Sequence, residues 1–140
     1  MPDSQNSAPL NIDVPQCQHP NLLIVDDLEA NLLFMEHLIQ KLPVNVILAL
    51  SGAEALEKTK DVELALAIID VRMPGMSGYE LAEKMKEQRS GNKVPIIFIT
   101  ANRISEIQLF EGYDYGAIDY ISKPINNHIL LSKITVFLEL

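Results

Sequence analysis

The sequence predicts an α/β fold built on a doubly wound parallel sheet, on three observations. From Asn21 onward, short apolar runs alternate with segments of helical periodicity, making five strand–helix pairs in order. The apolar runs show no polar alternation, so both faces of each strand need cover. The helical segments open on N-terminal capping sequences and several close at Pro or Gly. With 140 residues, 48% hydrophobic and 21% charged, the chain has the composition of one globular domain with a sizeable core.

Residues 1–20 hold Pro2, Pro9, Pro15 and Pro20 among Ser, Asn, Gln and Asp, and read as a flexible leader or linker before a domain over 21–140. Leu22-Leu23-Ile24-Val25 is the first strand. Leu28, Leu32, Met35, Ile39 and Leu42 follow at helical spacing, and Pro43 stops that helix. Val44 to Leu50 is the second strand. Ser51-Gly52-Ala53-Glu54 is a capping box that opens a helix through about Thr59. Leu64 to Ile69 is the third strand and ends on Asp70. Ser77-Gly78-Tyr79-Glu80 is a second capping box, for a helix to about Gln88. Val94 to Ile99 is the fourth strand, ending on Thr100. Ser105 caps a fourth helix that Gly112 or Gly116 closes, Ile118 to Ile121 is a short fifth strand, and Asn126 or Asn127 opens a last helix.

Charge and cysteine content exclude several functions. Eleven Lys and Arg against 19 Asp and Glu give a net charge of −8, a field that repels nucleic acid and anionic membrane surfaces. The single cysteine, Cys17, has no partner for an internal disulfide, and no Cys/His spacing suggests zinc. The N-terminus lacks the basic and apolar regions of a signal peptide, and the apolar runs fall far short of the roughly 18 residues that span a bilayer. The expectation is a cytoplasmic domain that binds neither nucleic acid nor membrane. His19, His37 and His128 are scattered and read as surface residues.

In a doubly wound sheet the site lies outside the carboxyl ends of the strands. The polar residues there are Asp26-Asp27, Asp70, Thr100 and Lys123. Three carboxylates brought together at about 4 Å repel by about 4 kcal/mol per pair at an effective dielectric near 20. Such a cluster protonates or recruits a cation, and carboxylate oxygens on a rigid frame suit Mg²⁺. Lys123 beside Asp70, with the Thr100 hydroxyl, makes a pocket for a phosphoryl group. Each residue alone has a plainer reading: a loop start or helix N-cap for the acids, a surface ion pair for Lys123, a buried strand residue for Thr100. Four matching strand ends in one chain favour the pocket.

At these positions the chain resembles the receiver domains of two-component response regulators. The resemblance is carried by Leu23-Ile24-Val25-Asp26-Asp27, Asp70-Val71-Arg72-Met73-Pro74-Gly75-Met76-Ser77-Gly78, Ile99-Thr100-Ala101 and Asp119-Tyr120-Ile121-Ser122-Lys123-Pro124, and covers about Asn21 to Leu140. It implies a flavodoxin-like (βα)5 fold with strand order 2-1-3-4-5. It implies that Asp70 accepts a phosphoryl group from a histidine kinase or phosphotransfer protein. Asp26, Asp27, Asp70 and the backbone carbonyl of Arg72 would hold Mg²⁺ or Mn²⁺. Thr100 and Lys123 would bind the phosphoryl oxygens, Ala101 would keep the entrance small, and Lys123-Pro124 would be a cis bond. Tyr120 matches the family's switch aromatic, whose ring turns inward as Thr100 moves toward the phosphate. A strand tyrosine packed on the surface is the alternative. Arg72 and Asn102 occupy positions that tune phosphate lifetime in the family.

The implied domain is a signalling switch and not an enzyme with a turning-over substrate. The change would pass through the surface of the fourth helix, fifth strand and fifth helix to an output domain or partner, or to a homodimer. A metal-dependent phosphohydrolase with an aspartyl nucleophile is the rival reading. It wants a second acid two residues after the nucleophile, where this chain has Arg72. A nucleotide or flavin binder is a third, but no G-x-G-x-x-G or P-loop occurs. The last helix carries Leu130, Ile134 and Phe137 on one face and Leu131 and Leu138 on another, without Gly, Pro or a basic last turn. The expectation is that it continues past Leu140 as a coiled coil into an output domain.

Overall fold

The structure is a computed structural model that describes residues 19–89, 94–101 and 117–140. The leader through Gln18, Asn102 and the helix expected from Ser105 lie outside the described residues. The elements are β1 (Asn21–Val25), α1 (Glu29–Ile39), β2 (Asn45–Ala49), α2 (Gly52–Lys58), β3 (Leu66–Asp70), α3 (Gly78–Gln88), β4 (Ile96–Thr100), β5 (Ala117–Ser122) and α4 (Asn127–Leu138). All strand pairs are parallel, and the order is β2-β1-β3-β4-β5, the doubly wound order expected.

Strand pleating divides the core in two. Leu23, Val25, Ala67, Ile69, Ile96, Phe98 and Tyr120 face α2 and α3, where they meet Ala55, Leu81, Ala82 and Met85. Leu22, Ile24, Leu66, Ile68, Ile97, Ile99 and Ile121 face α1 and α4, where they meet Leu32, Met35, Ile39, Leu130 and Ile134. Because each strand is apolar on both sides, the first polar residue after it falls at the sheet's carboxyl edge. That edge is therefore where chemistry can collect.

Local capping sets the entry of each helix. Ser77 accepts from the Glu80 N–H, and the Glu80 carboxylate returns the bond to the Ser77 N–H at 2.8 Å, the full reciprocal box. At α2 only half of it forms: Ser51 accepts from Glu54 N–H, but the Glu54 carboxylate reaches past Ser51 to the N–H of Leu50. Asn126 caps α4 through the Ile129 N–H, which settles the choice between the two asparagines.

Several details depart from the sequence reading. α1 ends at Ile39, short of Leu42 and Pro43; Val44 and Leu50 flank β2, Leu64-Ala65 and Val94 precede their strands, and β5 is longer than expected, running Ala117–Ser122. Leu28 is not part of the buried stripe of α1: it is the extended N-cap residue and is 57% exposed. On α4 the inward and outward faces differ from those expected. Leu131 and Leu138 pack against the core beside Leu130 and Ile134, while Phe137 lies outside with Ile129 and Val136. Leu131 and Leu138 flank the Leu130–Ile134 line on its inward side, so the helix turns a broader face to the sheet than that pair alone. Finally, α4 closes without glycine: Glu139 takes the left-handed conformation (φ 57°), and the Leu140 N–H returns to the Thr135 carbonyl.

Candidate functional site

The sheet ladder continues past the ends of the strands and fixes the site's backbone. Asp26 N–H donates to the Ala49 carbonyl at 3.2 Å, Val71 N–H to Ile99 at 3.0 Å, and Lys123 N–H to Thr100 at 2.9 Å. These rungs place Asp26, Asp70, Thr100 and Lys123 along one edge, as the sequence predicts. One carboxylate oxygen from each of Asp26, Asp27 and Asp70 lies within 4.8 Å of the other two. No other such group of His, Cys, Asp and Glu converges among the described residues.

Asp70 is 2% exposed. The Lys123 ammonium lies 3.1 Å from its Oδ2, and the Arg72 N–H donates to its Oδ1 at 3.3 Å. Burial pushes the Asp70 carboxyl above the ordinary aspartate range; the Lys123 bond and charge pull it down, Asp26 pushes it up, and the Arg72 N–H lowers it. A carboxylate whose charged form burial disfavours gains from a nearby cation. The three acids offer only hard oxygen donors, and such a donor set fits a small divalent ion.

Asp26 is fully buried and differently held. Its Oδ1 accepts from the Leu28 N–H at 2.9 Å, and the Asn31 amide nitrogen stands 3.3 Å from Oδ1 and 3.2 Å from Oδ2. Asp27 is half-buried at the mouth. Thr100 is buried at the end of β4, and Ala101 and Pro124 are exposed beside it. The Lys123–Pro124 bond is cis.

The underside of the site is a close approach. A Cβ at Gly78, the first residue of α3, would lie 2.4 Å from the Asp70 carbonyl oxygen and 2.9 Å from Val71 Cα. Only glycine lets the helix begin that near the backbone of Asp70. Next to it, the Tyr79 hydroxyl meets the Tyr120 hydroxyl at 3.0 Å, and both rings pack on Phe98, with centroids 4.8 and 5.7 Å away. Tyr120 is 6% exposed, so its ring lies inside.

The family model described as response regulator receiver domain matches residues 22–135. The chain belongs to that family. Among curated relatives, the receiver domain is 36% identical over 113 residues to the probable transcriptional regulator ycf29 of Pyropia yezoensis, covering 81% of this chain and 50% of that one. It is 32% identical over 115 residues to the response regulator PleD of Caulobacter vibrioides, covering 81% of this chain and 25% of that one. Among solved structures, a receiver domain protein from Methanospirillum hungatei JF-1 superposes with a TM-score of 0.75 at 34% identity, covering 87% of this chain and 95% of that one. The chain thus spans half or less of the length of these two curated relatives. No helix among the described residues is long and apolar enough to cross a membrane.

Sequence reasoning brought Asp26, Asp27, Asp70, Thr100 and Lys123 to one edge. It did not single out Asn31, Gly78 or Tyr79 for the site. Gly78 lay in view inside its capping box, but the box explains only the helix start. Asn31 and Tyr79 carried no signal beyond ordinary helical polar and aromatic residues.

Proposed function

We propose that this receiver domain is a phosphoacceptor switch, with Asp70 as its nucleophile. The observation that carries the reading is the Lys123 ammonium 3.1 Å from an Asp70 carboxylate that burial has made costly to ionise, beside two further acids. An Asp70 oxygen attacks the phosphorus of a phosphohistidine on a kinase or phosphotransfer protein. The P–O bond forms as the P–N bond breaks, and the imidazole leaves with its electron pair and takes up a proton. Asp26, Asp27, Asp70 and the Arg72 carbonyl would hold Mg²⁺ or Mn²⁺, which would supply positive charge to offset that of the phosphoryl oxygens. Lys123 keeps its contact with the acceptor throughout, and the Thr100 hydroxyl donates to a phosphoryl oxygen.

Once phosphorylated, Asp70 carries more negative charge and new acceptor oxygens. Thr100 is drawn toward them, and the populations of the surface around Tyr120, β5, α4 and the helix the sequence predicts from Ser105 shift. A partner or an output domain following Leu140, in a cytoplasmic protein, reads that surface; a homodimer through it serves the same end. The reaction is stoichiometric, with slow loss of phosphate as its only turnover. The test is incubation of the chain with acetyl phosphate and Mg²⁺, followed by intact-mass measurement. One phosphoryl group per chain is expected, with none on Asp70→Asn and none in excess EDTA. Full labelling of Asp70→Asn, or sustained release of phosphate from phosphomonoesters, would overturn the assignment.

A further inference from the structure

Asn31 stands where a second cation contact to Asp26 would otherwise form. Its amide nitrogen is nearly equidistant from the two Asp26 oxygens, at 3.3 and 3.2 Å, and so straddles the open edge of the carboxylate. A cation held by both oxygens of one carboxylate sits on that edge, at about 2.3–2.6 Å from each for Ca²⁺. The amide nitrogen closes that position. Asp26 cannot swing away to make room, because it is fully buried and its Oδ1 is also bonded to the Leu28 N–H at 2.9 Å. The Asn31 backbone is fixed in the first turn of α1, its N–H bonded to the Leu28 carbonyl at 3.0 Å, and its side-chain amide is placed by the two contacts to Asp26. Oδ2, which accepts from Asn31 alone among the described residues, is the oxygen with room for a further contact.

We propose that Asn31 is a specificity-determining residue for the divalent ion, restricting Asp26 to one-oxygen contact and so favouring Mg²⁺ and Mn²⁺ over Ca²⁺. Mg²⁺ keeps six ligands in an octahedron, several of them water, and needs only one oxygen from each carboxylate. Ca²⁺ takes six to eight and gains most from two-oxygen carboxylates. Removing the amide opens the Asp26 edge and raises the number of protein oxygens on offer to Ca²⁺. This inference rests on the metal-binding reading of the acidic triad.

The test compares the wild-type chain with Asn31→Ala and Asn31→Ser, by displacement of bound Mn²⁺ with Mg²⁺ and with Ca²⁺, followed by electron paramagnetic resonance of the free Mn²⁺. No phosphorylation is involved. The ratio of the Ca²⁺ to the Mg²⁺ dissociation constant should fall about 10-fold in both variants, the scale on which partners of metal ligands act. A merely structural asparagine would alter thermal stability and leave the ratio alone. Alanine is the better helix former, so folding is expected; the serine variant carries the ratio if alanine fails. A ratio within about twofold of wild type in a folded variant overturns the role of Asn31 while leaving the metal site standing. A wild-type chain that binds no Mn²⁺ overturns the metal reading and this inference with it.

Discussion

Asp26 and Asp70 end neighbouring strands, at 0% and 2% exposure, yet the protein holds them by different means. Asp26 is braced by neutral donors: one backbone N–H and one amide on the first turn of the following helix. All of these lie within five residues of it in sequence. Asp70 is held by a charge 53 residues away, on a lysine whose side chain remains 34% exposed, and by one long backbone contact. Neutral, short-range bracing fixes a carboxylate's orientation without consuming its charge. A part-exposed ammonium compensates the charge of Asp70 and leaves its other oxygen to a single long backbone contact. The β1 end is built to hold and the β3 end is built to react.

The contrast can be broken most strongly at Lys123. Lys123→Ala removes the only cation paired with Asp70 among the described residues, and labelling by acetyl phosphate should slow by about 10²-fold, the scale of one lost charge-stabilising donor at a reacting group. An unchanged rate would mean that the ion pair is structural only. Gly78→Ala probes the support beneath the same strand end. Its Cβ would meet the Asp70 carbonyl oxygen at 2.4 Å, backbone that has no rotamer to change. Urea unfolding should report a loss of about 1–3 kcal/mol, the usual cost of overpacking.

A smaller effect concerns pH. Because the folded protein raises the Asp70 pKa, it binds that proton more tightly than the unfolded chain does. Stability from this carboxyl is therefore present below the unfolded pKa and declines as pH rises through the folded one. Asp70→Asn, without divalent ions, should melt higher than wild type near neutral pH, and the difference should close toward about pH 4. A variant that melts lower at neutral pH would show that the Lys123 pair outweighs burial. The smallest expected change is Tyr79→Phe, which removes one partly buried hydroxyl contact and should cost about 1 kcal/mol in the same urea titration.

How much was legible in the sequence follows the same division. Strand ends are readable because an apolar run must stop at a polar residue, and parallel register then aligns the stops. That is why Asp26, Asp70, Thr100 and Lys123 could be placed before any coordinates. Contacts across crossovers were not readable. Tyr79 and Tyr120 meet over 41 residues of chain, and periodicity records which face a residue takes but not whom it meets there. Asn31 reads as one more polar helical residue, since only the turn at Leu28 aims it back at Asp26. The α4 faces misled for a related reason: several apolar positions compete for a sheet with room for only part of the helix. The stop at Glu139 left no trace because a glutamate, not a glycine, takes the left-handed turn.

The rungs that run past the strand ends bear on how the site comes apart. The amides of Asp26, Val71 and Lys123 are hydrogen-bonded to the adjacent strand or its extension. They have no private route to solvent, so their exchange with deuterium should wait on separation of neighbouring strands, in step with the core amides of β1, β3 and β4. A loop-borne site can melt while its scaffold stands. Here the backbone that carries Asp26 and Asp70 is as durable as the sheet, and their arrangement is lost only with it.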